Sequence, residues 1–165
     1  MRRCVCLLLS AGILFGLSAC GAKAPPPPSS FSADVSIVFG EARQEAALEL
    51  ERPGALRLSF TSPDALRGMA LSLEGDTATL EYKGLQTILP TASLPGEGAA
   101  QLLNQVLLQL AQPPEKKTLR RLRGGGFERK GEANGLHYIA CLDEEGALLG
   151  LQAPKAGLEI KIRRS

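Results

Sequence analysis

Apolar and polar side chains alternate with a period of two through most of the chain beyond residue 30. In the first such run, Val35, Ile37 and Phe39 alternate with Asp34 and Ser36. Successive side chains of a strand point to opposite faces, so this pattern predicts a strand with one buried face. Similar runs predict further strands at 48–51, 56–61, 69–73, 78–82, 85–89, 118–123, 127–130, 136–142, 147–152 and 158–162. Their spacing predicts an antiparallel sheet with one face exposed to water.

Short turn signals separate the predicted strands. Pro53-Gly54, Gly75-Asp76, Asn134-Gly135 and Glu145-Gly146 each place a residue that tolerates positive φ between two alternating runs, and they predict hairpins. The three glycines at 124–126 lack the Lys-Ser/Thr pair and the helix that a phosphate-binding loop requires. They therefore predict a bend or a bulge.

One segment, around 97–112, has a helical period instead. Its apolar side chains Leu103, Leu107 and Leu110 recur at helical spacing, and Pro113-Pro114 ends the pattern. From residue 98 onwards this segment carries no charge, which gives it a wide apolar stripe. Helices that lie on a membrane surface usually carry Lys or Arg on the polar face. The pattern therefore favours a helix packed across the sheet over a membrane-surface helix.

The N-terminus has a separate organisation. Arg2 and Arg3 precede an apolar run at 5–17, which is typical of a secretory signal peptide. The run is shorter than the roughly 20 residues of a permanent membrane span. The sequence Leu17-Ser18-Ala19-Cys20 then resembles the lipobox of bacterial lipoproteins. This resemblance implies that residues 1–19 are removed and that Cys20 receives lipid chains, whereas the alternative is an ordinary secretory signal.

Residues 20–30 contain four consecutive prolines among small residues and cannot bury a core. Extended polyproline geometry, at about 3.1 Å per residue, makes this segment a tether of roughly 30 Å. Residues 31–165 have the size of one ordinary domain. We therefore expect a domain anchored to a membrane through Cys20 on the extracytoplasmic side, which is an outer membrane only where the organism has one.

The formal charge of the precursor is +2, and removal of Arg2 and Arg3 leaves the mature chain neutral. The charge is unevenly spread, with 6 basic and 11 acidic residues in 20–115 and with 11 basic and 6 acidic residues in 116–165. Pairing between the two halves explains this without a partner, whereas a bipolar surface could dock on anionic head groups or an acidic partner. Nucleic acid is not an expected partner of an exported chain with so few aromatic residues for stacking.

Candidate chemistry for catalysis is sparse. His137 is the single histidine and stands in a predicted strand without a nucleophile motif, and the acids at 143–145 are typical of a solvated turn. With Cys20 lipidated, Cys141 is left as one free thiol, which we expect to be a small buried apolar residue. One histidine and one thiol do not make a zinc site. We therefore expect no catalytic residues, no metal and no cofactor.

A longer stretch carries a second resemblance. The sequence Leu50-Glu51-Arg52-Pro53-Gly54-Ala55-Leu56-Arg57-Leu58-Ser59-Phe60 is followed by Pro63 and by a Gly75-Asp76 hairpin that leads to Tyr82. It resembles the LolA/LolB-type half-barrel of bacterial lipoprotein carriers, whose anchored members include lipid-binding lipoproteins of actinobacteria. This implies a mainly β (α+β) fold, in which a curved antiparallel half-barrel is covered by a lid helix. The resemblance covers residues 31–111 in their sequence pattern. For the rest of the chain it concerns only the number of strands.

The same resemblance implies where a ligand would bind. An acyl chain would lie between the sheet and the lid helix, against Leu103, Leu107 and Leu110, and Arg57 matches a family arginine that helps to hold the lid. Alternatively, Arg57 is an exposed strand residue between buried leucines. The chain departs from the soluble carrier of that family in its predicted anchor and in having no tryptophan. A tethered protein would act locally and would not shuttle.

Two hypotheses on function follow from these patterns. The first is a membrane-anchored lipoprotein that holds a lipid or a lipoprotein acyl chain in its half-barrel. The second is an envelope lipoprotein with a filled core that docks on another extracytoplasmic protein, such as a cell-wall enzyme, and binds no lipid. An apolar cavity beneath the helix favours the first hypothesis, and a filled interior favours the second.

Overall fold

The fold was taken from a computed structural model, which describes residues 29–95, 98–115 and 118–164. Within these residues the chain forms eleven strands and one α-helix. In chain order they are β1 Phe31–Phe39, β2 Ala42–Arg52, β3 Ala55–Ser62, β4 Met69–Glu74, β5 Thr77–Tyr82, β6 Leu85–Pro90, α1 Ala99–Leu110, β7 Leu119–Arg121, β8 Phe127–Ala133, β9 Leu136–Leu142, β10 Leu148–Ala153 and β11 Leu158–Arg163. The lipobox, Cys20 and all of the tether up to residue 28 lie outside the described residues.

All of these strands belong to one curved, open antiparallel sheet. Its order is β6-β5-β4-β3-β2-β1-β11-β10-β9-β8-β7. The first strand pairs with the last, with Val35 opposite Ile162 and Ile37 opposite Ile160. Two meanders, β1–β6 and β7–β11, are thereby joined at the centre of the sheet, and α1 connects their outer strands in sequence. The predicted class, a mainly β half-barrel with a helix, is confirmed.

The period of two divides the sheet into an inner face, on which α1 lies, and an outer face. In β1, Ala33, Val35 and Ile37 are buried on the inner face, whereas Asp34 on the outer face is exposed. The inner-face side chains form one core cluster with the apolar stripe of α1. Burial of these side chains removes apolar surface from water, which is the main favourable contribution to folding.

The two edges of the sheet differ. At one edge, β7 has only three residues and includes Arg120 and Arg121, and short, charged edge strands resist pairing with other chains. At the other edge, β6 contains no charged residue, and its Leu85 and Ile88 are 77% and 66% exposed. The two most exposed large apolar side chains of the described residues therefore lie at the β6 edge.

The structure gives the bounds of the predicted helix and the form of the predicted bend at 124–126. The predicted helix at 97–112 is α1, which begins after the N-cap Gly98 and ends at Leu110, before the C-cap Ala111. Residues 96–97 are outside the described part. The glycines at 124–126 form the turn between β7 and β8, where the Leu122 amide donates to the Gly126 carbonyl. A Cβ at Gly126 would lie 2.3 Å from the Leu142 carbonyl oxygen, which explains why glycine is needed there.

A second close approach involves Gly131 in β8 and Tyr138 in β9, which are register partners. The Tyr138 ring is 2% exposed and lies directly over Gly131, so that a Cβ at residue 131 would be 2.5 Å from the Tyr138 Cζ atom. The absence of a side chain at Gly131 thus allows the tyrosine ring to cross the neighbouring strand toward α1.

We expect the Gly131→Ala substitution to lower the free energy of unfolding by about 1–3 kcal/mol, because the new methyl group overpacks the Tyr138 ring. The matched control is Gly124→Ala. Gly124 has a permitted φ and open space where its Cβ would lie, so the change there should be within about 0.5 kcal/mol. Urea unfolding checks both variants, and equal stability of the two would contradict the packing described.

Candidate functional site

Helix α1 covers the inner face as a lid. Half of its residues are buried, and they include all three leucines that the sequence predicted as ligand contacts. Leu103, Leu107 and Leu110 are only 0%, 4% and 2% exposed, and each belongs to the core cluster. In the described arrangement these three side chains are therefore packed against the sheet.

An apolar cavity of about 170 Å³ lies beneath the first turn of α1. Its walls are apolar side chains of β1, β3, β4 and the segment before the helix, together with the glutamines Gln44 and Gln101. The lining residues are Ile37, Gln44, Leu58, Phe60, Leu71, Leu94, Pro95, Gly98, Ala99, Ala100 and Gln101. The space thus lies between the sheet and the start of the helix and is partly open to solvent.

The cavity lies at the first turn, and the predicted contact leucines do not line it. Its helix side consists of Gly98, Ala99, Ala100 and Gln101. Three of these four residues are small, so the first turn does not fill the gap that larger side chains fill further along α1. A run of small residues at the start of an otherwise leucine-rich helix was the sequence signal for this cavity, and the sequence reasoning missed it.

The C-terminal end of α1 is held by Arg129 of β8. Its guanidinium group donates hydrogen bonds to the carbonyl oxygens of Gln109 at 2.8 Å, of Gln112 at 3.1 Å and of Leu110 at 3.3 Å. The last carbonyl groups of a helix lack partners within the helix and carry a partial negative charge. Arg129 therefore satisfies three acceptors and places a cation at the favourable end of the helix dipole.

Two further hydrogen bonds fasten the same end. The Tyr138 hydroxyl donates to Gln109 Oε1 at 2.8 Å, and Gln109 Nε2 donates to the Glu132 carbonyl oxygen at 2.8 Å. Burial raises the pKa of Tyr138, a shift that nearby Arg129 partly opposes, so the phenol keeps the proton that it donates. We call Arg129, Tyr138 and Gln109 the latch.

The N-terminal end of α1 is held more loosely. Gly98 provides no side-chain cap, and the first turn contains no acidic residue to compensate the dipole. The Gln101 side chain donates one long hydrogen bond, of 3.4 Å, to the Thr91 carbonyl oxygen. The cavity therefore lies under the end of the helix with the weaker polar attachment.

Arg57, the residue that the resemblance suggested for holding the lid, lies on the outer face. It alternates with the buried Leu56 and Leu58, and its guanidinium donates to Ser72 Oγ at 3.0 Å and to Glu81 Oε2 at 2.7 Å. The hydrogen bond and the charge of Arg57 lower the pKa of Glu81. The structure thus corrects this assignment: strand alternation turns Arg57 away from α1, and Arg129 provides the contact.

The two charged halves of the sequence stay apart in the structure. Residues of β1–β6 form one side of the sheet and residues of β7–β11 form the other. Among the ion pairs of the described residues, Arg163 with Glu45 at 3.7 Å joins the halves, while pairs such as Arg120 with Glu128 at 3.0 Å form within one half. Pairing between the halves therefore does not explain the bipolar charge. The β1–β6 side of the sheet keeps an excess of acidic residues, and the β7–β11 side keeps an excess of basic residues.

The remaining candidate groups are separate from the cavity. His137 is exposed on the outer face, where its Nδ1 atom lies 3.6 Å from Glu132 Oε2. Cys141 is half-buried and not buried as expected, because it alternates with the core residues Ala140 and Leu142 and so faces outward. Burial and Glu128 raise the pKa of its thiol. Asp143 Oδ1 accepts a hydrogen bond from the Ala147 amide in the predicted turn.

No cluster of three or more His, Cys, Asp or Glu side chains that could hold a metal ion occurs among the described residues. In the same part of the chain, no helix combines the length and the apolar character that a membrane span requires.

Comparison with known proteins supports the fold. A crystal structure of an uncharacterized conserved protein from Thermus thermophilus matches 83% of this chain and 79% of its own length, with a TM-score of 0.50 and 17% identity. At that identity the likeness concerns the fold alone. No family model matches the chain, and no curated protein matches it.

Two further solved structures match at lower similarity. A LolA superfamily protein from Nitrosomonas europaea has a TM-score of 0.42 and 11% identity, and the match covers 86% of each chain. A domain described as an outer membrane lipoprotein-sorting protein, from Vibrio parahaemolyticus, has a TM-score of 0.41 and 13% identity, and the match covers 82% of each chain.

We expect Arg129→Met to lower the free energy of unfolding by about 1–3 kcal/mol, because three carbonyl groups at the end of α1 lose their donor. The matched control is Arg120→Met, which removes an exposed ion pair with Glu128 and should cost at most about 1 kcal/mol. Urea unfolding gives the stabilities, and hydrogen exchange of the α1 amides should accelerate in the first variant only. Equal effects at the two arginines would contradict the latch.

Proposed function

We propose that this chain is a membrane-anchored, extracytoplasmic lipoprotein that holds a lipid or a lipoprotein acyl chain between α1 and the inner face of its sheet. The observation that carries the proposal is the apolar cavity under the loosely attached end of the helix. Apolar cavities that contain a few polar groups are the usual form of ligand sites in proteins. The protein would bind its ligand without catalysis, cofactor or metal.

The size of the cavity indicates how a chain would enter. Ligand pockets generally have volumes of about 300–1,000 Å³, and the cavity of about 170 Å³ is smaller. Displacement of the first turn of α1, with the latch retained at the other end, would extend the cavity along the helix toward Leu103 and Leu107. The leucines named from the sequence would then contact a ligand in the open arrangement and pack against the sheet in the closed one.

The proposed anchor would place this site close to a membrane surface. Lipid chains on Cys20 would hold the domain at the extracytoplasmic side of a membrane, because two or more acyl chains bind a bilayer stably whereas one binds marginally. The tether at 20–30 would limit the reach of the domain to roughly 30 Å. The protein would therefore receive, hold or present a ligand near its own membrane.

A second candidate function is supported by the separated charges. The sequence has 6 basic and 11 acidic residues in 20–115, which contains β1–β6, and the reverse bias in 116–165, which contains β7–β11. Because the described ion pairs leave this polarity uncompensated between the two sides, the domain could dock on another envelope protein of complementary charge. In that case the small cavity would be a packing defect of a filled core.

We expect Cys20→Ser to release the protein from membranes into the soluble extracytoplasmic fraction, because a serine has no thiol for acylation. Cys141→Ser is the matched control and should leave the protein in the membrane fraction. Metabolic labelling with an alkynyl fatty acid should mark the unmodified chain and the control, but not Cys20→Ser. Membrane association of an unlabelled Cys20→Ser chain from which residues 1–19 have been removed would contradict the proposed anchor.

We expect Ala100→Phe to reduce acyl-chain binding at least tenfold without unfolding the domain, because the phenylalanine ring would occupy the cavity that Ala100 lines. Ala111→Phe, at the exposed C-cap of the same helix, is the matched control and should bind normally. Native mass spectrometry of the full chain carrying Cys20→Ser, mixed with 1-monooleoylglycerol, measures the bound fraction, and circular dichroism measures folding.

Leu107→Phe tests whether Leu107 is packed in the core. Leu107 is 4% exposed in the core, so this overpacking should cost about 1–3 kcal/mol of stability.

If the unmodified sequence binds no acyl-chain probe in repeated trials, the lipid-binding proposal is wrong and the docking function is favoured.

A further inference from the structure

Two carboxamide side chains line the otherwise apolar cavity, and a third, Asn104, is buried next to one of them on α1. The two lining side chains are Gln44 and Gln101. Asn104 follows Gln101 by three residues on α1, so the two side chains are neighbours on the helix surface. Asn104 is 4% exposed, which is unusual for a polar residue of a helix whose other buried residues are leucine and valine.

Two of these side chains have unused acceptors. Gln101 Oε1 and Asn104 Oδ1 are buried and accept no hydrogen bond from any described group of the protein. The Gln101 amide nitrogen is engaged with the Thr91 carbonyl, which favours the orientation that leaves the oxygen free. Buried polar atoms of native proteins are nearly always hydrogen-bonded, because an unpaired acceptor in apolar surroundings is unfavourable.

The residues that line the cavity are also without charge. A carboxylate or a phosphate placed there would lose its hydration without gaining a cation, and it would lie next to carboxamide oxygens that repel it. A hydroxyl or an amide N–H group would instead donate to these oxygens. The absence of charge in the lining and the free acceptor oxygens therefore both favour an uncharged ligand with a hydroxyl or an N–H donor.

We infer that the cavity takes an uncharged amphiphile, whose hydroxyl or amide N–H group donates to Gln101 Oε1 while its hydrocarbon chain lies against Leu58, Phe60 and Leu71. Acylglycerols and N-acyl amides have this chemistry. The inference rests on the proposed acyl-chain binding and specifies the polar end of the ligand.

Three probes with the same C18 chain test this inference on the full chain carrying Cys20→Ser. They are 1-monooleoylglycerol, which has hydroxyl donors, methyl oleate, which has none, and oleate, which is charged at pH 8. Equilibrium dialysis should show 1-monooleoylglycerol bound about tenfold more tightly than methyl oleate, and oleate bound more weakly than 1-monooleoylglycerol.

The variant Gln101→Met removes the carboxamide that lines the cavity at nearly constant size. It should reduce the preference for 1-monooleoylglycerol over methyl oleate to threefold or less and leave the affinity for methyl oleate unchanged. Gln105→Met, at a residue of α1 that does not line the cavity, is the matched control and should keep the tenfold preference. Gln101→Leu provides a second test of the same preference if Gln101→Met does not fold.

The outcomes separate this inference from the proposed function. Equal affinities for all three probes would overturn the inference and leave acyl-chain binding intact. Binding of none of them would overturn both. A preference that persists in Gln101→Met would show that the Gln101 oxygen does not select the ligand.

Discussion

The burial of one uncharged helix on one face of the sheet is the interaction on which the rest of the structure depends. Helix α1 has a wide apolar stripe and no charged residue, so it cannot remain in water as an isolated element. The inner face of the sheet offers the matching surface, because alternation along each strand collects its apolar side chains on that side. Each large side chain buried in this layer contributes about 1.5–3 kcal/mol.

This single layer also explains why the site lies where it does. One helix of twelve residues crosses a sheet of eleven described strands. Leucines fill the interface along most of α1, whereas small residues at Gly98, Ala99 and Ala100 leave a cavity. The latch formed by Arg129, Tyr138 and Gln109 fixes the opposite end. Packing and hydrogen bonding thus make one end of the lid firm and the other end easier to displace.

Local sequence patterns predicted the elements well. Strand alternation and hairpin turns report on neighbouring residues, so the strands, the turns and the helix could be read without knowledge of the tertiary structure. The outward position of Arg57 also follows from alternation, because Leu56 and Leu58 occupy the inner face. The family resemblance gave Arg57 a role that this alternation contradicts, and the half-buried Cys141 departs from expectation for the same reason.

The site itself could not be derived in this way. Arg129 and Gln109 are 20 residues apart in sequence and meet only because α1 crosses β8 at a particular place. The passage of the Tyr138 ring over Gly131 depends equally on the register of β8 and β9. The unpaired oxygens of Gln101 and Asn104 depend on the depth at which the helix packs. Contacts of this kind are set by the geometry of the whole fold, which no local pattern specifies.

The central claim, that an apolar chain lies between α1 and the sheet, is tested most directly by paramagnetic relaxation. Isoleucine δ1 methyl groups report on the cavity at Ile37 and on the exposed sheet edge at Ile88. Addition of a nitroxide-labelled acylglycerol to the unlipidated chain should broaden the Ile37 methyl signal much more than that of Ile88. Broadening at Ile88 with a sharp Ile37 signal would show adsorption to the β6 edge and contradict binding beneath the helix.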